Sequence, residues 1–206
     1  MPTSEYHCSL DELAEQAQMQ TLLVALIALQ VGHDLRDELL QIAKADQEVR
    51  TRINWTAPES TLVEEMQRVD RDNAKRLSEI VDRYGWPSKS LVGEDGAHAA
   101  WLIVQHAVHD RDLMKRCLTK MRSLPRSEVS SADIAYLTDR VELFERGKQV
   151  YGTQLRIDKE GLTVEPIDDD ANVDERRAAM GLGSLAEYVA LVRKQFGKKE
   201  ITTEKR

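Results

Sequence analysis

Several things are scarce in this chain, and each scarcity removes a class of protein. Two cysteines, Cys8 and Cys117, occur in 206 residues. They show no metal or redox spacing and make no disulfide framework, so both read as incidental and a reducing, cytoplasmic setting is expected. A basic excess is lacking too: 36 Asp and Glu outnumber 29 Lys and Arg, for a net charge of −7. Phosphate neutralisation needs a basic face, so no nucleic-acid partner is expected. An anionic membrane surface is disfavoured for the same reason. The longest apolar run, from Leu22 to Leu29, falls far short of the roughly 20 residues that span a bilayer. Asp11, Glu12 and Glu15 precede it where a signal peptide needs cations, so no membrane association is expected. There is no Gly-rich phosphate loop, no Gly-x-Ser-x-Gly elbow and no zinc-protease motif. The paired Glu-x-x-His of di-iron bundles is missing, and Asp168–Asp170 lacks the Gly and Glu of a calcium loop. Neither a cofactor nor a metal is expected.

What is present is helix. Hydrophobic residues make up 41% and charged residues 32%, which suits one folded domain. Ser9 with Glu12 predicts a capping box that opens a helix to about Gln30. Gly32 reads as an interruption, followed by a helix over His33 to Ile53. Thr61 with Glu64 predicts a third helix, stopped at Tyr84 by Gly85 and Trp86-Pro87. Residues 88–96 read as a loop. A long fourth helix is predicted from Ala97 to Arg122 and a fifth from Ser131 to Arg146. Residues 151–157 and 162–167 are rich in β-formers and predict a hairpin about Asp158–Gly161. A short helix near Asp174 to Met180 leads to Ser184 with Glu187, a cap for a last helix ending near Phe196. The predicted fold class is mainly α, a compact domain of about six to seven helices with one β-hairpin before the C-terminal helices. Residues 1–30 form a helical extension, 31–197 a single domain with its hairpin at 149–167, and 198–206 a flexible tail. The apolar run of the extension is expected to pack on the domain or on a second copy, as a homodimer.

Polar residues break the helix patterning repeatedly. Leu35, Leu39, Ile42, Val49 and Ile53 share one stripe at 100° per residue, with Asp46 inside it and Arg50 at its edge. Leu62, Met66, Val69, Leu77 and Ile80 form another, with Asn73 in the middle and Asp70 at the flank. Ala97 to Val108 is apolar nearly all round, yet Gln105 and His106 interrupt it. His98, Gln105, His106 and His109 fall within one sector of about 100°. Asp139 sits between two apolar faces of the fifth helix. A buried polar group without a partner costs roughly 1–3 kcal/mol. These groups therefore form either a satisfied structural network or one pocket, and the pocket is favoured because the violations lie on separate helices.

Weaker candidates lie downstream. A bulge at Gly152 would let Gln149 and Gln154 share a face; otherwise they point apart. Arg176 and Arg177 open a short helix and are either solvated or a clamp for a carboxylate or phosphate. His106 and His109 with Asp110 and Asp112 could start a metal site, but nothing completes it.

Asp46-Gln47-x-x-Arg50, Asp70-x-x-Asn73, Gly85-Trp86-Pro87, Val92-Gly93, Trp101 through Gln105-His106-Ala107, Asp139-Arg140, Gln149-x-Tyr151-Gly152-Thr153-Gln154 and Arg176-Arg177-x-x-x-Gly181-Leu182 occur in that order. In these the chain resembles a bacterial family catalogued only as a domain of unknown function, over about residues 35–195. The Gln-His and Tyr-Gly-Thr-Gln motifs are the most specific. The resemblance implies no activity. It does imply that Asp46, Arg50, Asn73, His106, Asp139, Arg140, Gln149 and Gln154 belong together; His98 and His109 are outside the pattern.

The expected function is binding of a small molecule or peptide, as a tailoring or biosynthetic enzyme. His106 would be the acid/base, because imidazole titrates near neutrality, and Asp139 or Asp46 would orient it. Arg50, Asn73, Gln105, Arg140, Gln149, Tyr151, Gln154 and Arg176 would bind substrate. The alternative is a non-catalytic interaction module, an adaptor or immunity-type partner.

Overall fold

The computed structural model describes residues 10–55, 57–158 and 161–203. The Ser9 cap, Cys8, the centre of the hairpin turn and the last three residues of the expected tail lie outside them. The architecture is mainly α, as expected: the described residues form seven helices with one two-stranded antiparallel hairpin ahead of the C-terminal pair.

Helix α1 (Leu10–Arg52) is one unbroken element of 43 residues, about 65 Å long at 1.5 Å per residue. Gly32 does not interrupt it. A Cβ there would collide with the Leu91 carbonyl, so this glycine lets a neighbouring backbone come close rather than ending a helix. The first half of α1 is bare. Residues 13–30 are exposed throughout, including Leu22, Leu26 and Leu29, and no part of the described domain covers them.

Helix α2 (Ser60–Tyr84) starts one residue before the expected cap. Glu59 takes the extended cap conformation without a side-chain hydrogen bond, so Thr61 and Glu64 lie inside the first turns and form no capping box. Helix α3 (Lys89–His106) absorbs the segment expected to be a loop. Gly93 supplies a kink at φ 75°, ψ 170°, and the helical hydrogen bonds resume beyond it.

The expected long fourth helix is two helices. α3 stops at His106, and α4 (Arg111–Arg122) begins after Asp110, whose carboxylate accepts the Leu113 N–H at 2.9 Å. An aspartate that satisfies an orphan N–H of the first turn is a strong start signal, and it overrides the continuous apolar pattern. Helix α5 (Ser131–Arg146) has its expected bounds, capped by Ser130 and ended by Gly147 in the left-handed conformation.

Strands β1 (Leu155–Asp158) and β2 (Gly161–Val164) pair with Leu155 opposite Val164. They are shorter than expected because residues 151–154 form a bent loop. Helix α6 (Val173–Ala179) follows a short 3₁₀ turn. Helix α7 (Leu185–Thr203) runs past Phe196 into the expected tail. Its predicted cap forms: Ser184 and Glu187 bond reciprocally.

Side-chain pairs give the helix directions. Arg36 meets Asp95 and Asp46 meets His106, so α1 and α3 run parallel. Arg50 meets Asp70 and Glu38 meets Arg76, so α2 is antiparallel to α1. His98 acts on Asp133 and the Trp101 ring meets Tyr136, so α5 runs parallel to α3. Leu39, Leu77, Ile103, Leu113 and Leu137 are fully buried in the shared core. The C-terminal halves of α1, α3 and α5 therefore lie toward one end of the bundle.

Gly32→Ala should lower stability by roughly 1–3 kcal/mol, since one methyl must push two packed helices apart. Helix propensity alone predicts a gain instead, so an unchanged or raised melting temperature would sink the close-approach account.

Candidate functional site

Asp46 is wholly buried inside the apolar stripe of α1. Its carboxylate meets His106 Nδ1 at 3.0 Å from both oxygens, receives Arg50 Nη1 at 2.9 Å, and accepts the Gln47 amide at 2.7 Å. Arg50 continues to α2, where Nη2 donates to both oxygens of Asp70 at 2.8 and 3.0 Å. One guanidinium thus bridges two buried carboxylates, and one of those carboxylates holds the histidine.

The two acids respond in opposite directions. Burial pushes the Asp46 carboxyl up, but the hydrogen bond and charge of His106, the charge of Arg50 and the Gln47 amide outweigh it and hold the group below its ordinary value. At Asp70 burial wins over Arg50, and the carboxyl is raised. An ionised Asp46 can only accept, so the proton of a neutral His106 sits on Nδ1 and the Nε2 lone pair is left free. His106 keeps 21% of its side chain exposed, and Nε2 has no hydrogen-bond partner among the described residues.

Ligand atoms of Asp46, Asp70 and His106 lie within 4.8 Å of one another, a spacing that suits a metal ion. Arg50 occupies the space between the two carboxylates, so a divalent cation would have to displace it.

The remaining expected site residues divide into two groups. Asp139 does not meet His106. It is fully buried and accepts from the N–H of Val150, Tyr151 and Thr153 and from the Thr153 hydroxyl, all at 2.7–2.8 Å. Gln149 accepts the Gln154 N–H and donates to the Gln154 and Glu165 carbonyls. The Gln154 amide donates to the Thr153 hydroxyl at 3.0 Å. Gly152, at φ 70° and hard against Ile167 and Leu185, makes this bend possible. Arg176 donates to the carbonyls of Val150, Asp168 and Asp169. Arg177 holds those of Tyr151 and Gly183, with its guanidinium 5.2 Å from the Tyr188 ring centre. Arg177 is buried, and Arg176 keeps 24% of its side chain exposed. Asp139, Gln149, Tyr151, Gln154, Arg176 and Arg177 together form a satisfied frame around residues 149–154.

Asn73, Gln105 and Arg140 belong to neither network. Each has a buried side-chain nitrogen without a hydrogen-bond partner: Asn73 Nδ2, Gln105 Nε2 and Arg140 Nε. His109 is exposed in the α3–α4 link, away from the sector a continuous helix would give it, and His98 is exposed and stacks on Trp101 at 5.0 Å.

Sequence reasoning under-read Asp70 and passed over Tyr188, whose hydroxyl donates to the Thr153 carbonyl at 2.9 Å and whose acidity burial weakens. It also missed a cleft of about 270 Å³ lined by Trp86, Lys89, His98 and Asp133, among others. There burial pushes the Asp133 carboxyl up to about 6. The Gly-Trp-Pro and Val-Gly motifs flanking this cleft were the available signal.

This is a helical domain in which a buried aspartate of α1 holds a half-buried histidine of α3 toward one end of the bundle. The chain belongs to a family described as "Family of unknown function (DUF6624)", whose model matches residues 33–201. That match leaves the bare first half of α1 outside it. No curated protein and no solved structure matches the chain.

Asp133 gives a pH test of the fold around its cleft. Its folded value of about 6 lies above the ordinary 3.8. The ionised group therefore opposes folding above pH 6, and protonation relieves this as pH falls toward 4. Asp133→Asn should gain stability over the parent at pH 8, with the gain shrinking by pH 4.5. A difference in melting temperature that does not vary with pH would refute this.

Proposed function

We propose that the domain is a small-molecule enzyme in which His106 transfers a proton and Asp46 fixes its tautomer. The observation behind this is the buried His106–Asp46 pair, with Nδ1 turned to an ionised carboxylate and Nε2 left unpaired. A carboxylate behind an imidazole orients the ring and stabilises the imidazolium formed when Nε2 takes a proton. His106 itself, then Arg50 and Gln47, keep that carboxylate ionised, and Arg50 also pairs with Asp70. The frame around residues 149–154 supports the site without touching His106. The substrate is a polar small molecule or a peptide end.

A second reading follows from the bare half of α1: a protein partner, in the first instance another copy of the chain, covers residues 13–30. No helix among the described residues is long and apolar enough to cross a membrane. We place the protein in the cytoplasm, in keeping with its unpaired, buried Cys117, whose thiol burial pushes up to about 12.

The enzyme reading is tested by screening polar metabolites for thermal stabilisation of the parent and of His106→Asn. A ligand should emerge that both proteins bind and only the parent converts, with turnover in the variant down by roughly 10²–10⁴. Full activity in a folded His106→Asn protein removes His106 from the chemistry. For the second reading, replacing Leu22, Leu26 and Leu29 together by Gln should turn a dimer into a monomer in sedimentation without changing the melting temperature. A monomeric parent would exclude the homodimer.

A further inference from the structure

The three unpartnered nitrogens named above are all hydrogen-bond donors, on α2, α3 and α5. The helix register brings them toward the same place. Along α3 and α5, His98 and Asp133 line one cleft and Trp101 packs on Tyr136 at 5.8 Å. Both pairs share one offset along parallel helices, so the next turn sets Gln105 beside Arg140. Along antiparallel α1 and α2, Arg50 meets Asp70. The next turn of α2 therefore sets Asn73 opposite the Asp46 level of α1. Gln105 directly precedes His106, and the charge of Arg50 is felt at Arg140.

Arg140 decides the sign of what is recognised. A guanidinium has no acceptor, and the asparagine and glutamine amides can turn to suit whatever it binds. The buried carboxylates are already engaged: Asp46 and Asp70 by Arg50, Asp139 by the 150–153 backbone. No carbonyl takes Arg140 Nε, although the C-terminus of α3 lies at this end of the bundle. Burial accordingly pulls the Arg140 guanidinium below its ordinary range. Buried donors in a native protein are nearly always paired, so unpaired donors on three helices at this end of the bundle call for an acceptor from outside.

Charge narrows the class. Asp46 and Asp70 face Arg50 and Arg140, which leaves the cluster neutral, or singly positive once His106 is protonated. A monoanion balances that state, whereas a phosphate dianion would meet two buried carboxylates with excess negative charge.

We propose that Arg140, with the Gln105 and Asn73 amides beside it, is the receptor for one carboxylate of the ligand on which the His106–Asp46 pair acts. The guanidinium fork and the amide N–H groups match the planar geometry of a carboxylate. Binding there would hold the ligand next to Nε2 of His106. The inference rests on the enzyme reading for the location of the chemistry, but carboxylate binding can be measured without turnover.

The probe is sodium acetate, compared with sodium chloride and inorganic phosphate at equal ionic strength, with melting temperature and calorimetry as readouts. Acetate at about ten times its Kd should raise the melting temperature of the parent by roughly 3–6 °C, and chloride should not. Arg140→Met should lose the acetate response yet melt no lower than the parent, because it removes an unpaired buried charge. Arg140→Lys should keep a weakened response, and Gln105→Leu should weaken it without unfolding the domain. His106→Asn should still respond to acetate, so failure of the acid/base reading would leave this receptor standing. The proposal is overturned if acetate acts no differently from chloride, if phosphate stabilises more than acetate, or if Arg140→Met melts well below the parent and still responds to acetate.

Discussion

One guanidinium organises this end of the bundle. Arg50 reaches back one turn to Asp46 and across to Asp70, so α1 and α2 are joined through a charge that water barely reaches. Removing one partner of such a buried set strands the other charge, at a cost of roughly 3–5 kcal/mol. The net contribution of the set to stability is small, because desolvation offsets most of the attraction. Its effect is on geometry. Arg50 satisfies both acids only at one register of α1 against α2, and His106 meets Asp46 only at one register of α1 against α3. The bundle end is thereby fixed in position, and the imidazole with it.

The same bridge explains why two aspartates on one arginine behave differently. Asp46 has three donors, one of them an imidazole that shares its proton, so ionisation is favoured despite burial. Asp70 has Arg50 alone and also feels the Asp46 charge, so burial prevails. One acid is kept ionised behind the histidine. The other takes up the remaining charge of the arginine.

The sequence showed this site wherever a polar residue interrupted a long apolar stripe. Asp46, Gln105, His106 and Asp139 were legible because the helices around them are regular enough to say which face is buried. Asp70 was less legible. It lies at the flank of its stripe, yet it is buried against Arg50, whereas Asn73 in the middle of the stripe is half-buried. Arg177 is 2% exposed, yet its seven-residue helix is too short to show a stripe, and paired arginines in a first turn look solvated. The break at Ala107–Asp110 was hidden for a different reason. The apolar pattern continues across it, and only Asp110 reveals that a new helix starts. Gly32 was read as a helix breaker because sequence shows a missing side chain but not the Leu91 carbonyl packed against it. The convergence expected of Asp139 with His106 failed for want of loop geometry: nothing in the sequence shows that the Asp139 carboxylate is filled by the 150–153 backbone.

Asp139 and Arg140 are neighbours on one helix and show how the domain divides its polar residues. Asp139 meets four donors, and the loop it holds is satisfied down to its carbonyls through Arg176 and Arg177. Arg140 meets no acceptor. Had the polar residues served structure alone, the same economy would be expected at both positions, since an unpaired buried donor is as costly as an unpaired acceptor. Among the described residues the buried side-chain nitrogens without a partner are those of Asn73, Gln105 and Arg140, and the 149–154 frame contributes none. A fold consistent at every level except one place marks that place as the one shaped by something other than folding. One of the three, Gln105, directly precedes His106, whose Nε2 is also without a partner among the described residues.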